Sequence, residues 1–395
     1  MMPTPEQDHI GTRIAHQRKL RRLSGRELAR RAGISYSLLS KVESGHKPAS
    51  ADVVAAVART LSVSRDTLTG QPYVTELQQD RLADLVHPMR IALDLYDLGD
   101  DPDLSVRPSW QLVAAADDLC ATVRATHLHK AADTLPALVA ELTAAVYRTP
   151  GSELWTALGS AYRSTHDVAV KLGYTDLATV ALDRMGWAAE KASNPLLSAV
   201  RQYKRALGYF REGECHIGQR LIGAGRDHLA TAGDTRAALA VAGQLHLGAA
   251  VLAARARDAA GTELHLAQAE EHAARTGEAG RVLWLSFGPT NVTLHRTSTL
   301  IEFHRFGEAV EVSGGVHFPD GWSTSRAAHH HVHRSYALME TKRYDQALGE
   351  MVTARRIAPE QTRYYAPARE TINALVRHQR ATPDTLTNLA HWVGL

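Results

Sequence analysis

The chain has 395 residues, enough for two or three domains that each bury a core, and a net charge of +3. Its two cysteines, Cys120 and Cys215, are too few for a disulfide framework and lack metal-ligand spacing, which suits a reducing cytoplasm. The first residues carry Pro3, Glu6 and Asp8 where a secretory signal has a basic end and an apolar run, and the most apolar stretch, Ala237 to Ala254, is interrupted by Gln244 and His246 and reads as a buried helix, so neither export nor membrane insertion is expected.

That modest charge is unevenly spread. Residues 1–72 hold twelve Lys/Arg against six acids, whereas the remainder has a small acidic excess. A basic N-terminal segment is the footprint of a phosphate-binding module.

In chain order, His9 to Arg22 is predicted as a helix with Ile10, Ile14 and Leu20 turned to a core. Ser24 to Gly45 then reads as two helices joined by a tight turn. Ser24 and Glu27 have the spacing of a capping box, and Leu28, Ala29 and Ala32 form the apolar side of the first helix. Gly33 stands where that helix must end in a left-handed residue. Ile34, Leu39 and Val42 are the buried side of the second helix, leaving Ser35, Tyr36, Ser37, Ser40 and Lys41 directed outward. Ser50 opens a helix through Val53, Val54, Val57 and Leu61, Ser64 opens a short one through Leu68, and Gly70 and Pro72 close the unit.

This five-helix plan resembles the lambda-repressor-like DNA-binding domain of XRE-family regulators. The resemblance implies that the second helix of the pair enters the major groove of double-stranded DNA. Ser35, Tyr36, Ser37, Ser40 and Lys41 are then the candidates for base contact, and Ser24, Arg26, Ser44, His46 and Lys47 for phosphate contact. It also implies a homodimer on an inverted-repeat operator, with half-sites about one helical turn apart. Arg18 and Glu43 occupy positions that the family commonly pairs. They read as an ion pair fixing the recognition helix rather than as DNA contacts.

After this unit the chain shows amphipathic helical runs and no strand-like alternation. Residues 73–150 are expected to be a helical linker and the start of a solenoid, with a loop at Leu98 to Pro108. Residues 151–395 resemble tetratricopeptide repeats. Trp155, Leu158, Gly159 and Tyr162 match the opening of that repeat. A second copy is placed at Leu247, Gly248 and Val251 with Ala260, Leu264 and Ala267, a third around Phe306 and Ala309, and a fourth at Tyr344, Ala347, Ala354 and Pro359. Spacing between copies exceeds the usual period of about 34 residues, and insertions such as Val312 to Ser325 account for it. The expected fold is therefore all-α: a five-helix DNA-binding domain on a right-handed α-solenoid.

Mapping the groove-facing positions of such repeats gives Arg163, Asn291, Glu302, His329, Tyr336 and Glu340 as candidate ligand residues, though hydrated surface is an equally open reading. Similarity in design to peptide-responsive quorum sensors implies a peptide or small-molecule effector in this groove; the rival is a protein-interaction scaffold with no small ligand. His329, His330, His331 and His333 offer helical pairs but no complete metal set. No phosphate loop, H-E-x-x-H or G-x-S-x-G motif is present; Gly223 to Gly225 is too short a glycine pattern to count, and the Asn291-Val292-Thr293 sequon has no role in a cytosolic protein. No cofactor, metal, membrane partner or enzymatic activity is therefore expected.

Overall fold

The computed structural model describes residues 9–70, 76–378 and 383–394, with the backbone alone for 76–83. Expectations placed on Pro3, Glu6, Asp8 and Pro72 lie outside the described residues. The described residues form helices and irregular connections, with a single isolated β-bridge between Ala279 and Phe287.

Five short helices build the N-terminal unit: α1 (Ile10–Leu20), α2 (Gly25–Ala32), α3 (Tyr36–Glu43), α4 (Ala51–Leu61) and α5 (Arg65–Thr69). His9 starts α1 with a reciprocal cap, its ring accepting from the Gly11 amide and its own amide donating to Thr12 Oγ1, each at 3.1 Å. Gly11 is where α1 crosses α3; a Cβ there would lie 1.8 Å from the Val42 carbonyl oxygen. Ile14, Leu28, Leu39, Val57, Leu61 and Leu68 are fully buried in a shared core. Each contributes on the order of 1.5–3 kcal/mol by leaving water. Leu20, expected to face this core, is 63% exposed, and Leu23 packs against the core from beyond the helix end.

The rest of the chain is a run of helical hairpins. A lead helix, α6 (Glu76–Asp94), is followed by the 98–108 loop, pinned by Arg148 on Asp100 at 2.7 Å and by Arg107 on Glu141 at 2.7 Å. Then come α7 (Ser109–Arg124) with α8 (Leu128–Arg148), α9 (Ser152–Leu172) with α10 (Thr175–Lys191), and α11 (Pro195–Glu212) with α12 (Cys215–Leu229). They continue as α13 (Arg236–Arg255) with α14 (Ala259–Thr276), α15 (Pro289–Glu302) with α16 (Phe306–Gly314), and α17 (Thr324–Glu340) with α18 (Tyr344–Ile357). Short helices α19 (Pro359–Tyr364), α20 (Ala366–His378) and α21 (Asp384–Val393) close the stack.

Close approach needs small residues where they were expected. A Cβ on Gly159 would meet Leu197 at 2.5 Å, and one on Gly248 would meet Tyr203 at 2.9 Å. Trp155, Leu158 and Tyr162 are buried at this first junction. The hairpins α7/α8 and α11/α12 belong to the same stack, within the stretches read as helical, although neither carries a recognisable repeat signature. One feature departs from the sequence reading. In α14 the buried stripe is Thr262, Leu266, Ala269 and Ala273, so Ala260, Leu264 and Ala267 face solvent instead. Helix α13 is long and apolar enough to cross a membrane by composition, yet it is mostly buried by its neighbours, as befits a core helix.

The stack bends far enough for its ends to meet. Helix α7 packs on α17 and α9 on α19, with Lys171 bonded to Ser325 Oγ at 3.0 Å and His129 to Glu360 at 2.9 Å. The first helices of successive hairpins form an inner wall. Closure turns the expected open groove into a chamber, and the N-terminal unit sits at its mouth.

Candidate nucleic-acid interface and the chamber behind it

Ser24 begins α2 by accepting from the Glu27 amide at 3.2 Å. The reciprocal half of the expected capping box is not formed, because the Glu27 carboxylate binds Arg30 at 2.8 Å and Arg31 at 2.6 Å. Those hydrogen bonds hold Glu27 at about 2, well below the ordinary carboxylate range. Gly33 ends the helix at φ +67°, a left-handed conformation that strains any residue with a Cβ. The chain then turns into α3, whose N-cap Ser35 accepts from the Leu38 amide at 3.1 Å. Leu39 and Val42 anchor α3 in the core, whereas Ile34 is only half-buried.

The outward side of α3 presents Tyr36, Ser37, Ser40 and Lys41, all exposed, with Tyr36 52% exposed beneath the Arg26 guanidinium. Ser35 is exposed too, but its hydroxyl is occupied as the helix cap. At the far end Ser44 Oγ donates to the Lys41 carbonyl at 3.1 Å and meets His46 Nδ1 at 2.8 Å. Arg18 clamps Glu43 with two parallel bonds of 2.7 and 2.9 Å and donates a third to the Leu23 carbonyl at 2.9 Å. The Glu43 hydrogen bonds raise the Arg18 pKa against the opposing effect of burial. This geometry ties α1 to the end of α3 and turns the guanidinium away from the exposed surface.

Lys47 is engaged differently. Its ammonium binds Glu340 of α17 at 3.0 Å, so one candidate phosphate ligand meets one candidate groove residue. Arg377 of α20 donates to the Ser44 carbonyl at 2.8 Å, and the Ile10 amide approaches Glu370 at 3.4 Å. Further bonds join Thr175 to Asp66 at 2.7 Å and Arg59 to the Glu212 carbonyl at 3.0 Å. The N-terminal unit is thus docked through α1, α4, α5 and the turn after α3, with the outer face of α3 left open.

The other groove candidates lie at several depths. Arg163 and Asn291 are fully buried: Arg163 donates to the Leu283 carbonyl and to Cys120, and Asn291 joins Gln244 at 3.0 Å and Arg326 at 3.1 Å. Glu302 is paired with Arg255 at 2.9 Å. His329 packs on Tyr365 with ring centres 4.8 Å apart, and Tyr336 packs edge-on against Phe306. The remaining histidines of this helix diverge. His331 binds Glu350 at 2.6 Å, His333 lies between Ser298 and Tyr365, and His330 packs on Phe318. Burial pushes His330 and His333 down to about 4, so both are neutral. Among the described residues no group of three His, Cys, Asp or Glu is arranged to hold a metal ion.

Between the docked unit and the inner wall lies a cavity of about 290 Å³, lined by Val54 and Arg65 on one side and by Tyr203, Phe210, Arg326, Tyr336 and Tyr365 on the other. A second cavity of about 370 Å³ shares Arg65 and adds Lys204 and Arg211. Sequence reasoning missed Arg65, Tyr203, Lys204, Arg211 and Arg326. No local spacing links them, since they come together only when distant hairpins close the ring.

The fold and the exposed α3 surface define a helix-turn-helix unit, and residues 9–69 match the family model of the helix-turn-helix domain. Two relatives, each named an uncharacterized HTH-type transcriptional regulator, come from Mycobacterium tuberculosis strains CDC 1551 and H37Rv. Each is 44% identical over 58 residues, which is 15% of this chain and 41% of the relative. The chain therefore spans under half the length of these relatives. No solved structure matches the chain significantly.

Proposed function

We propose that this chain is a sequence-specific DNA-binding transcription regulator whose helical-repeat region responds to a ligand held in the chamber. The observation that carries the reading is the α3 surface: Tyr36, Ser37, Ser40 and Lys41 stand clear while the opposite side of the same unit is docked. Lys41 suits the guanine O6/N7 edge, and the flanking Ser24, Arg26, Ser44 and His46 are the residues proposed to hold phosphates. The family model and the printed names of the two relatives support the DNA-binding part.

A dimer on an inverted repeat follows the general logic of helix-turn-helix proteins. The exposed Ile91, Leu95 and Leu98 at the end of α6 and beyond it support a self-association face. The ligand part rests on enclosure: closure of the ring leaves room for a small molecule and restricts a folded partner, which favours sensing over scaffolding through this surface. Selection of bound fragments from random DNA tests the first claim, and the symmetry of the selected site tests the dimer. Lys41→Ala should lower affinity for the selected site by roughly 1–3 kcal/mol and relax one base position. Equal binding of wild type and variant to all fragments would overturn the orientation of α3.

A further inference from the structure

The inner wall and Arg65 of the docked unit together carry more positive charge than the acids facing them neutralise. Arg65, Arg124, Lys171, Lys204, Arg211 and Arg326 lie within electrostatic range of one another through a chain of neighbours, and the acids facing them are Asp66, Asp167 and Glu212. Asp167 is already shared, binding Lys204 at 2.7 Å and Arg124 at 3.0 Å, and Glu212 stands 3.6 Å from Arg65. Arg211 has no hydrogen-bond or ion-pair partner among the described residues, and the Arg65 Nε is buried without an acceptor. Uncompensated cations in a poorly solvated site are costly unless something else supplies the counter-charge.

The surroundings specify the rest of the missing partner. Arg65, Lys204 and Arg211 line one cavity, with Asp183 at its rim paired to Arg201 at 3.0 Å. Arg65 also lines the adjoining cavity, where Tyr203, Leu207, Phe210, Tyr336 and Tyr365 give an apolar, aromatic wall. There Glu302 pairs with Arg255 at 2.9 Å and Asp52 with Arg257 at 3.4 Å, whereas Arg326 has no acidic partner among the described residues and adds to the charge at the Arg65–Arg211 end. One carboxylate would neutralise one of three surplus formal charges, whereas a di- or triphosphoryl group matches the surplus, and guanidinium forks suit phosphate oxygens.

We infer that the chamber binds a phosphorylated organic anion, its phosphoryl groups held by Arg65, Lys204 and Arg211 and its aromatic or apolar body between Phe210 and Tyr365. This rests on the reading of the chamber as a ligand site and adds the ligand's chemical class. Because Arg65 belongs to the N-terminal unit, the ligand bridges that unit and the inner wall. Lys171 and Lys204 face Asp167, Arg124 and each other; Arg326 and His329 also face Lys171, and Arg163 and His166 also face Lys204. Burial, with the neighbouring cations, pushes Lys204 down to about 8, and an anion bound in the cavity it lines would favour its protonated form.

Titration calorimetry of the full chain at about pH 7.5 with inorganic pyrophosphate and with adenosine triphosphate tests this. Expected are one site per chain, tighter binding of adenosine triphosphate, and proton uptake revealed by repeating the titration in Tris and HEPES. Arg211→Met and Arg65→Met should each weaken binding about tenfold or more. Arg211→Met should keep the wild-type melting temperature, since that side chain has no protein partner to orphan. No pyrophosphate binding below about 1 mM, equal binding by both variants, or binding of a neutral peptide with none of pyrophosphate would overturn the inference. Pyrophosphate binding that leaves DNA affinity unchanged would support the anion site while refuting its use in regulation.

Discussion

The Arg18–Glu43 clamp separates a structural role from a DNA contact by one thermodynamic cycle. At 2.7 Å and an effective dielectric constant of about 20, the gross attraction is roughly 6 kcal/mol. Most of this is offset by desolvation, and both side chains remain about 15% exposed. Removing one partner of a fully buried pair costs roughly 3–5 kcal/mol, so Arg18→Met should cost about 2–3 kcal/mol here. The double variant Arg18→Met, Glu43→Met leaves no orphaned carboxylate and should recover about half of that loss. Native-state hydrogen exchange in the full chain reads the effect at the Leu39 and Val42 amides of α3, and titration onto a selected operator reads DNA affinity. If Arg18→Met weakened DNA binding with unchanged exchange, and the double variant restored nothing, Arg18 would be a phosphate ligand and the structural account would fail.

Three other outcomes follow from the docked arrangement. Glu340→Gln should raise operator affinity by up to about fivefold, because a partly exposed pair contributes up to about 1 kcal/mol to holding Lys47 away from phosphate. In that background Lys47→Ala should reduce the salt slope of binding by about 0.9, and an unchanged slope would show that Lys47 never reaches a phosphate. Glu370 is pushed up to about 7 by burial, so its native form binds the extra proton between the unfolded pKa near 4.5 and about 7. Stability from this group is present below that window and is lost as pH rises through it, by up to roughly 3 kcal/mol; Glu370→Gln should flatten the loss in a pH series of urea titrations. Gly159→Val would force a side chain against Leu197, and a cost of about 1–3 kcal/mol in thermal unfolding is expected; no change would mean that α9 and α11 can separate freely.

What the sequence made legible was local. Gly33, Leu39 and Val42 lie within one short unit, where capping and periodicity act over a few residues, and the structure places them as those rules require, while the Arg18–Glu43 pair follows the family resemblance. The second helix of the 247–267 hairpin is a case where local spacing does not decide which face is buried. Ala260, Leu264 and Ala267 have acceptable helical spacing, but α14 is rich in alanine on several faces, and tertiary packing selects Leu266 and Ala269 instead. The hairpins α7/α8 and α11/α12 carry no repeat signature because stacking needs only an apolar seam of the right volume. Leu112, Leu135, Leu197 and Ala206 provide it without any repeat signature.

Closure of the ring explains why the candidate groove residues divided as they did. An open solenoid would leave Arg163 and Asn291 facing water, where each would be a free hydrogen-bonding group. In a closed one they become wall: Arg163 spans to Leu283, and Asn291 links Gln244 to Arg326. The chain Tyr203–Gln244–Asn291–Arg326 satisfies its polar atoms within the protein and fixes Arg326 at the cavity edge. Glu340, at the rim, instead reaches Lys47. A ligand need not be transmitted along the solenoid to reach the DNA-binding unit, because that unit already forms one side of the cavity through Val54 and Arg65. Coupling then requires only that the ligand bind the docked and undocked arrangements unequally, and each tenfold difference in affinity shifts their balance by about 1.4 kcal/mol.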